Sequence, residues 1–137
     1  MLNTHENNII SFVTFGRVDL MTDYLQKLMS SGDQVPRIDV EIEKSIKNIF
    51  ILSLGIISRA ALQAGIDYAT MDELVTYFLN QIEVQNSYQK SIDLFRKMCL
   101  TFTRQVEQIN EMETTSLTVQ KIQKIIFAKL YKKSAQH

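Results

Sequence analysis

The sequence contains few of the residues that break helices or cross-link chains. Among its 137 residues there are four glycines, one proline and no tryptophan. Because glycine and proline are the commonest interruptions of helices, their scarcity argues against a loop-rich all-β domain and favours long helices. Cys99 is the only cysteine. An intramolecular disulfide is therefore excluded, and nothing indicates an oxidising compartment.

Targeting segments are also missing from the sequence. Residues 1–10, MLNTHENNII, have no basic stretch ahead of a hydrophobic one, so we predict no signal peptide. The longest uncharged apolar run, residues 48–58, has 11 residues, whereas about 20 are needed to cross a bilayer. We therefore expect a cytoplasmic protein without a membrane partner.

The formal net charge is zero, but the charges are unevenly distributed. Residues 1–112 carry ten basic and fourteen acidic side chains, a net charge of −4, and residues 113–137 carry five and one, a net charge of +4. The total charge gives no sign of nucleic-acid binding. The basic C-terminal part is the one region where such contact is worth considering, although a solvated helix face gives the same asymmetry.

Apolar side chains recur at helical spacing along most of the chain. The predicted helices cover about 4–15, 18–29, 39–64, 70–84, 87–112 and 117–132. Residues 30–39, SSGDQVPRID, contain a glycine and the only proline and are predicted to form a loop. The helix at 39–64 is apolar on nearly every side, so we expect it at the centre of an all-α bundle of five to six helices.

Three positions predict where helices begin and end. Gly65 follows the central helix and suits a left-handed C-terminal cap. Thr70 and Glu73 are spaced as a capping box at the start of the next helix. Ser87 is placed to cap the helix after that.

The helix predicted from residue 87 carries an apolar seam with alternating spacings of four and three: Tyr88, Ile92, Phe95, Cys99, Phe102, Val106 and Ile109. This is the heptad spacing of a coiled coil. Complementary charges beside the seam are missing, which favours packing inside one bundle over a zipper between two copies. A homodimer stays open as the alternative.

The polar stretch NEMETTS, residues 110–116, is predicted to be a hinge. It divides a helical regulatory bundle at 1–112 from a hinge and basic amphipathic helix at 113–137. Along this last helix, Val119, Ile122, Ile126 and Leu130 share one side, and lysines occupy much of the rest.

Residue patterns that support catalysis are missing, so we expect no enzymatic activity, no metal and no cofactor. The sequence has no HExxH, CxxC, GxxxxGK[ST] or GxGxxG motif. His5 and His137 lie near opposite termini and are expected to be solvated. Cys99 falls on the apolar seam and is expected to be a small buried hydrophobic residue rather than a nucleophile.

Two groups of residues are candidates for contacts with other molecules. Arg59, at the end of the central helix, and the aromatic residues Tyr77, Phe95 and Phe102 are candidates for an interaction site or a pocket between helices. The alternative is that Arg59 is solvated and the aromatics are plain core. The candidates for contact with DNA are Lys121, Lys124, Lys129 and Lys132. The alternative for these lysines is the wet face of an amphipathic helix.

The stretch SRAALQAGID at 58–67, followed by L74 and FLNQIE at 78–83, resembles a segment of Gram-positive AraC/XylS-type transcriptional regulators. FGRVDLMTDYLQKL at 15–28, RKMCLTFTRQVEQI at 96–109 and VQKIQKIIFAKLYKK at 119–133 resemble flanking helices of that region, in the same order. Two departures are Val75-Thr76, where that family has Ser-Asp, and Tyr68 in place of a proline, so a polar role of that Ser-Asp pair does not transfer.

The resemblance implies a non-catalytic regulatory or linker domain that transmits a signal or sets dimer geometry. DNA would be bound only through paired helix-turn-helix units, which are missing from these 137 residues, and the small-molecule effector is unknown. The alternative function is a stand-alone helical module that binds a partner's helix in an apolar groove.

Overall fold

The computed structural model describes residues 2–30 and 40–135, with side chains described for 4–30 and 44–132. Helices are the only regular secondary structure in this part of the chain, which contains no strand, and this confirms the all-α prediction. Its five helices are α1 (Leu2–Phe15), α2 (Val18–Ser30), α3 (Val40–Gln63), α4 (Tyr68–Val84) and α5 (Tyr88–Ala135). Apart from Ser30, the predicted loop at 30–39 lies outside the described residues, as does His137.

A glycine turn joins α1 to α2. Gly16 has φ +64°, and two hydrogen bonds reach back into α1: from the Arg17 N–H to the Phe12 carbonyl (2.9 Å) and from the Gly16 N–H to the Val13 carbonyl (3.1 Å). These are the paired bonds of a Schellman cap, which needs a left-handed residue at this point. The turn lies directly against α5, so it fixes how α1 and α2 pack on that helix.

The end of α3 has the same kind of C-terminal cap, which confirms the predicted role of Gly65. Gly65 has φ +117°. The Ile66 N–H donates to the Ala61 carbonyl and the Gly65 N–H donates to the Leu62 carbonyl, each at 3.1 Å. The capping bonds turn the chain sharply, and Ile66 is buried in the core at 3% exposure.

The start of α4 differs from the prediction. The N-cap is Asp67, in an extended conformation, and Thr70 lies inside the first turn of the helix. The Met71 N–H bonds to the Asp67 carbonyl at 3.0 Å, so the helical bonding begins before the predicted capping box. The prediction for Ser87 is confirmed, since its Oγ accepts a hydrogen bond from the Lys90 N–H (3.3 Å) at the start of α5.

The first half of α5 packs against all four other helices, whereas α3 packs against α1, α4 and α5. The predicted seam is buried or half-buried along its length, and neighbours such as Met98 and Thr103 are fully buried as well. The seam therefore packs inside the bundle. In contrast, α3 leaves Ile49 and Leu52 exposed at 52% and 67%, so the helix predicted at the centre of the bundle has one apolar side that the described residues do not cover.

The predicted hinge is helical. One helix of 48 residues runs from Tyr88 to Ala135 without interruption, across the predicted boundary at 112/113. It contains neither glycine nor proline, so no residue forces a break. The Thr114 and Thr118 hydroxyls donate hydrogen bonds to the carbonyls four residues earlier, each at 2.9 Å, so both are hydrogen-bonded within the helix.

Candidate functional site

The C-terminal half of α5 projects from the bundle and forms the most exposed apolar surface of the described chain. Every described side chain from residue 110 to residue 132 is exposed. We call residues 110–132 the arm, which at 1.5 Å per residue is about 35 Å long. Its root is held to α1 by a hydrogen bond of 3.2 Å from the Asn110 side-chain amide to the Phe15 carbonyl.

The sequence explains why α5 leaves the bundle at this point. Continuing the heptad spacing beyond Ile109 gives Glu113, Ser116 and Gln120, which are all polar. The apolar seam that faces α1–α4 therefore ends at Ile109, and every side chain described beyond it, up to residue 132, is exposed. From Glu113 to Gln120 the helix therefore directs only polar side chains to the side that faces its own bundle.

A new apolar stripe begins on another side of the arm. Met112, Val119, Ile122, Ile126 and Leu130 fall within about 80° of one another at 100° per residue. All five are exposed, from 46% at Val119 to 72% at Met112. Phe127 and Tyr131 stack beside the stripe with ring centroids 6.4 Å apart. This row of exposed apolar side chains makes the arm the candidate interaction site.

The four lysines predicted to lie near DNA are all exposed on the arm. Lys121, Lys124 and Lys132 fall within about 80° on the side opposite the apolar stripe, and Lys129 borders the stripe. The arm thus has an apolar stripe and, opposite it, a side that carries three lysines together with the exposed Leu117 and Tyr131. This arrangement allows an apolar partner and an anionic partner to bind at the same time.

Arg59 and Tyr77 lie on different helices of the bundle. The Arg59 side chain is exposed on α3 and makes no hydrogen bond or ion pair with the part of the chain that the structure describes. The Tyr77 hydroxyl on α4 accepts a hydrogen bond from Lys97 Nζ on α5 at 2.6 Å, and the same Nζ lies 4.9 Å from the ring centroid. Tyr77 therefore ties α4 to α5.

Phe95 and Phe102, both on α5, have different surroundings. Phe102 is fully buried, with its ring centroid 6.0 Å from that of Phe78. Phe95 is half-buried, packs edge-on against Phe50 at 6.3 Å, and lines two cavities between the helices. Of the four residues predicted for a pocket or interaction site, only Phe95 faces a cavity described below.

Cys99 and His5 have defined environments. Cys99 is fully buried, and desolvation raises the pKa of its thiol to about 12. The thiol stays protonated at neutral pH and serves as packing. His5 is exposed, as expected, and its Nδ1 also contacts the Tyr24 hydroxyl. Within residues 2–30 and 40–135, no group of three or more His, Cys, Asp or Glu side chains is placed to hold a metal ion.

One helical segment is long and apolar enough to cross a membrane when judged by length and composition alone. It is Lys44–Gln63 in α3, with a mean hydropathy of 1.4 and 33% of it buried inside the structure. This finding weakens the sequence argument, which considered only the shorter uncharged run. Core helices of soluble proteins have the same composition, and Phe50, Leu54 and Ile57 are buried against the bundle.

Comparison with protein-family models gave no match, and neither curated proteins nor solved structures gave one. The resemblance to AraC-type regulators therefore stays a prediction from the sequence. The apolar stripe of the arm was partly predictable, because Val119, Ile122, Ile126 and Leu130 share a side at helical spacing. Its exposure was not, because the same spacing is typical of a helix packed in a core.

Proposed function

We propose that the chain is a non-catalytic helical linker of a cytoplasmic AraC-type transcriptional regulator, in which α5 connects the state of the bundle to DNA-binding units. The single observation that carries this proposal is the continuity of α5. Its first half packs against every other helix, and its second half is the exposed arm. A shift of α5 in the bundle moves the arm with it, because a continuous helix transmits rotation and translation.

The arm has the surfaces that this function needs. The segment that resembles the helix leading into the DNA-binding region, residues 119–133, lies almost entirely within it. Its apolar stripe offers a packing face for an attached helix-turn-helix unit. Lys121, Lys124, Lys129 and Lys132 add positive charge where DNA phosphates would approach. These lysines contribute affinity without base specificity, because phosphate contacts position a protein and base contacts specify the sequence.

A continuous α5 changes the mechanism that the sequence suggested. A hinge at 110–116 would let DNA-binding units move freely, whereas a rigid arm fixes their orientation relative to the bundle. Paired half-sites along a duplex demand a fixed separation and rotation. Two associated copies, each with a rigid arm, would hold their DNA-binding units at a fixed separation and rotation.

The proposal is tested by insertions that rotate the far end of the arm relative to the bundle. The protein for the experiment is this chain followed by the paired helix-turn-helix units of an AraC-type regulator, with expression of an operator-linked reporter as readout. One alanine inserted between Thr115 and Ser116 turns the far end of the arm by about 100°, and seven alanines bring it within about 20° of its original direction. We expect the single insertion to reduce the response to background and the longer one to restore it.

Two outcomes would contradict the proposal. Equal responses from both insertions would mean that the arm is a flexible tether. No response from the uninterrupted fusion would favour the second candidate, a stand-alone module whose arm binds a partner's helix. The exposed stripe from Met112 to Leu130 is the observation that favours this second candidate.

A further inference from the structure

Two cavities adjoin at the side of the bundle away from the arm. The first, of about 480 Å³, lies between the end of α2, the N-terminal half of α3 and the start of α5. The second, of about 430 Å³, lies between α1, α3 and α5. Leu28, Ile49 and Phe95 line both cavities, so the two adjoin along these three residues, and we call them together the groove. Each volume lies in the range of small-molecule sites.

The groove is lined mainly by apolar side chains. Aliphatic residues from α1 and α3, including Ile9, Ile10 and Ile56, form the wall of the second cavity. Ile49 and Leu52 at its edge stay 52% and 67% exposed. An apolar side chain at the mouth of a cavity gains most when a hydrocarbon covers it.

A single arginine stands at one end of this apolar groove. Arg96 directs Nε and Nη2 at the sulfur of Met29, at 3.1 and 2.8 Å. A thioether is a weak acceptor, yet it occupies the edge of the guanidinium that binds a carboxylate through two parallel hydrogen bonds. Within residues 4–30 and 44–132, the ion pairs are Arg17–Asp19 and Lys27–Asp23, so Arg96 has no carboxylate partner there.

The opposite end of the groove carries a different charge. Glu6, next to His5, lines the second cavity. An anionic head group would be repelled at that end and attracted at the Arg96 end. These two charges therefore favour one orientation of a bound amphipathic anion, with its head group at the Arg96 end.

We propose that this groove binds a free fatty acid with a chain of about twelve carbons. Its carboxylate displaces the Met29 sulfur and pairs with Arg96, and its hydrocarbon chain runs past Phe95 and Ile49 toward α1. The site contacts the first turns of α5, so a bound acid can bias the position of the helix that continues into the arm. That regulatory consequence rests on the proposed function, whereas binding itself does not.

The test is calorimetric titration of the purified chain with dodecanoate below its micelle concentration, beside the uncharged analogue dodecanol. We expect saturable binding of dodecanoate and at least tenfold weaker binding of dodecanol. Arg96→Gln is expected to weaken dodecanoate binding by about tenfold or more, since a charge-assisted pair is lost. Arg59→Gln is the matched control, because Arg59 is also exposed and lies outside the groove.

A second pair of variants tests the path of the chain. Leu52→Glu places a charge at the groove edge and is expected to abolish binding, while Val84→Glu alters a residue exposed at 71% outside the groove and should leave binding intact. Both side chains are largely exposed, so both variants should fold.

Three results would overturn the proposal: no saturable binding, equal binding of dodecanoate and dodecanol, or equal losses in the groove and control variants. Sedimentation with anionic phospholipid vesicles that does not depend on Arg96 would instead assign the surface to a membrane. None of these results depends on the insertion experiment, so the failure of one proposal is distinguishable from the failure of the other.

Discussion

Replacing Gly16 with alanine is expected to lower the free energy of unfolding by about 3 kcal/mol or more, because strain and a backbone clash act together. Gly16 adopts φ +64°. A Cβ there would lie 2.7 Å from the amide nitrogen of Glu107, 2.9 Å from its Cα and 3.0 Å from the carbonyl carbon of Val106. These are main-chain atoms of α5, so the clash is relieved only by moving a helix. Urea denaturation followed by circular dichroism measures the loss.

The matched control for this substitution is Gly55→Ala in α3. A Cβ at Gly55 meets no atom within 4 Å and the residue has ordinary helical geometry. Here alanine is expected to stabilise the protein by about 1 kcal/mol through helix propensity. Equal effects of the two substitutions would mean that the α1–α2 turn does not pack against α5 as described.

Truncating Phe102 to alanine is expected to cost about 3–5 kcal/mol, the usual range for a buried phenylalanine. The ring is fully buried in α5, where it contacts Phe78 and lies in the seam that joins α5 to the other helices. A loss of this size is a large part of the stability of a small domain. Chemical denaturation with a constant m-value gives the measurement.

The same substitution on the arm is the control for Phe102. Phe127 is 70% exposed on the same helix, so Phe127→Ala should change stability by less than about 0.5 kcal/mol. If both substitutions cost the same, the arm is packed against the protein and the division of α5 into a core half and an exposed half is wrong.

Features that depend on a few neighbouring residues were predictable from the sequence. The spacing of apolar residues predicted α1 to α4 to within about two residues at their described ends, and the left-handed turn at Gly65 follows from the lack of a side chain. Ser87 was predictable as a cap because a serine hydroxyl can accept a hydrogen bond from a backbone N–H in the first turn of the helix. Each of these features is decided by local conformational preference.

Two features were not predictable from local composition or from neighbouring residues. The polar segment at 110–116 resembles a loop in composition, and only the lack of a breaker and the helix on both sides keep it helical. Nucleation is the unfavourable step of helix formation. Because the first half of α5 is already helical in the bundle, extending the helix through residues 110–116 requires no new nucleation. Arg96 and Met29 are 67 positions apart, so no local pattern brings them together.

Continuity of α5 is tested most directly by the distance between two spin labels on either side of residues 110–116. Arg104 and Lys129 are both exposed and point in nearly the same direction on a continuous helix, with their Cα atoms about 37 Å apart. Labels at introduced cysteines are expected to react selectively, because Cys99 is buried and its pKa is raised to about 12. A pair at Lys90 and Arg104, about 21 Å apart within the bundle half, is the control.

A continuous helix predicts a narrow distance distribution for both pairs. A narrow distribution for Lys90 and Arg104 with a broad or much shorter one for Arg104 and Lys129 would show that the chain bends at residues 110–116. That result would contradict a rigid arm and restore the hinge.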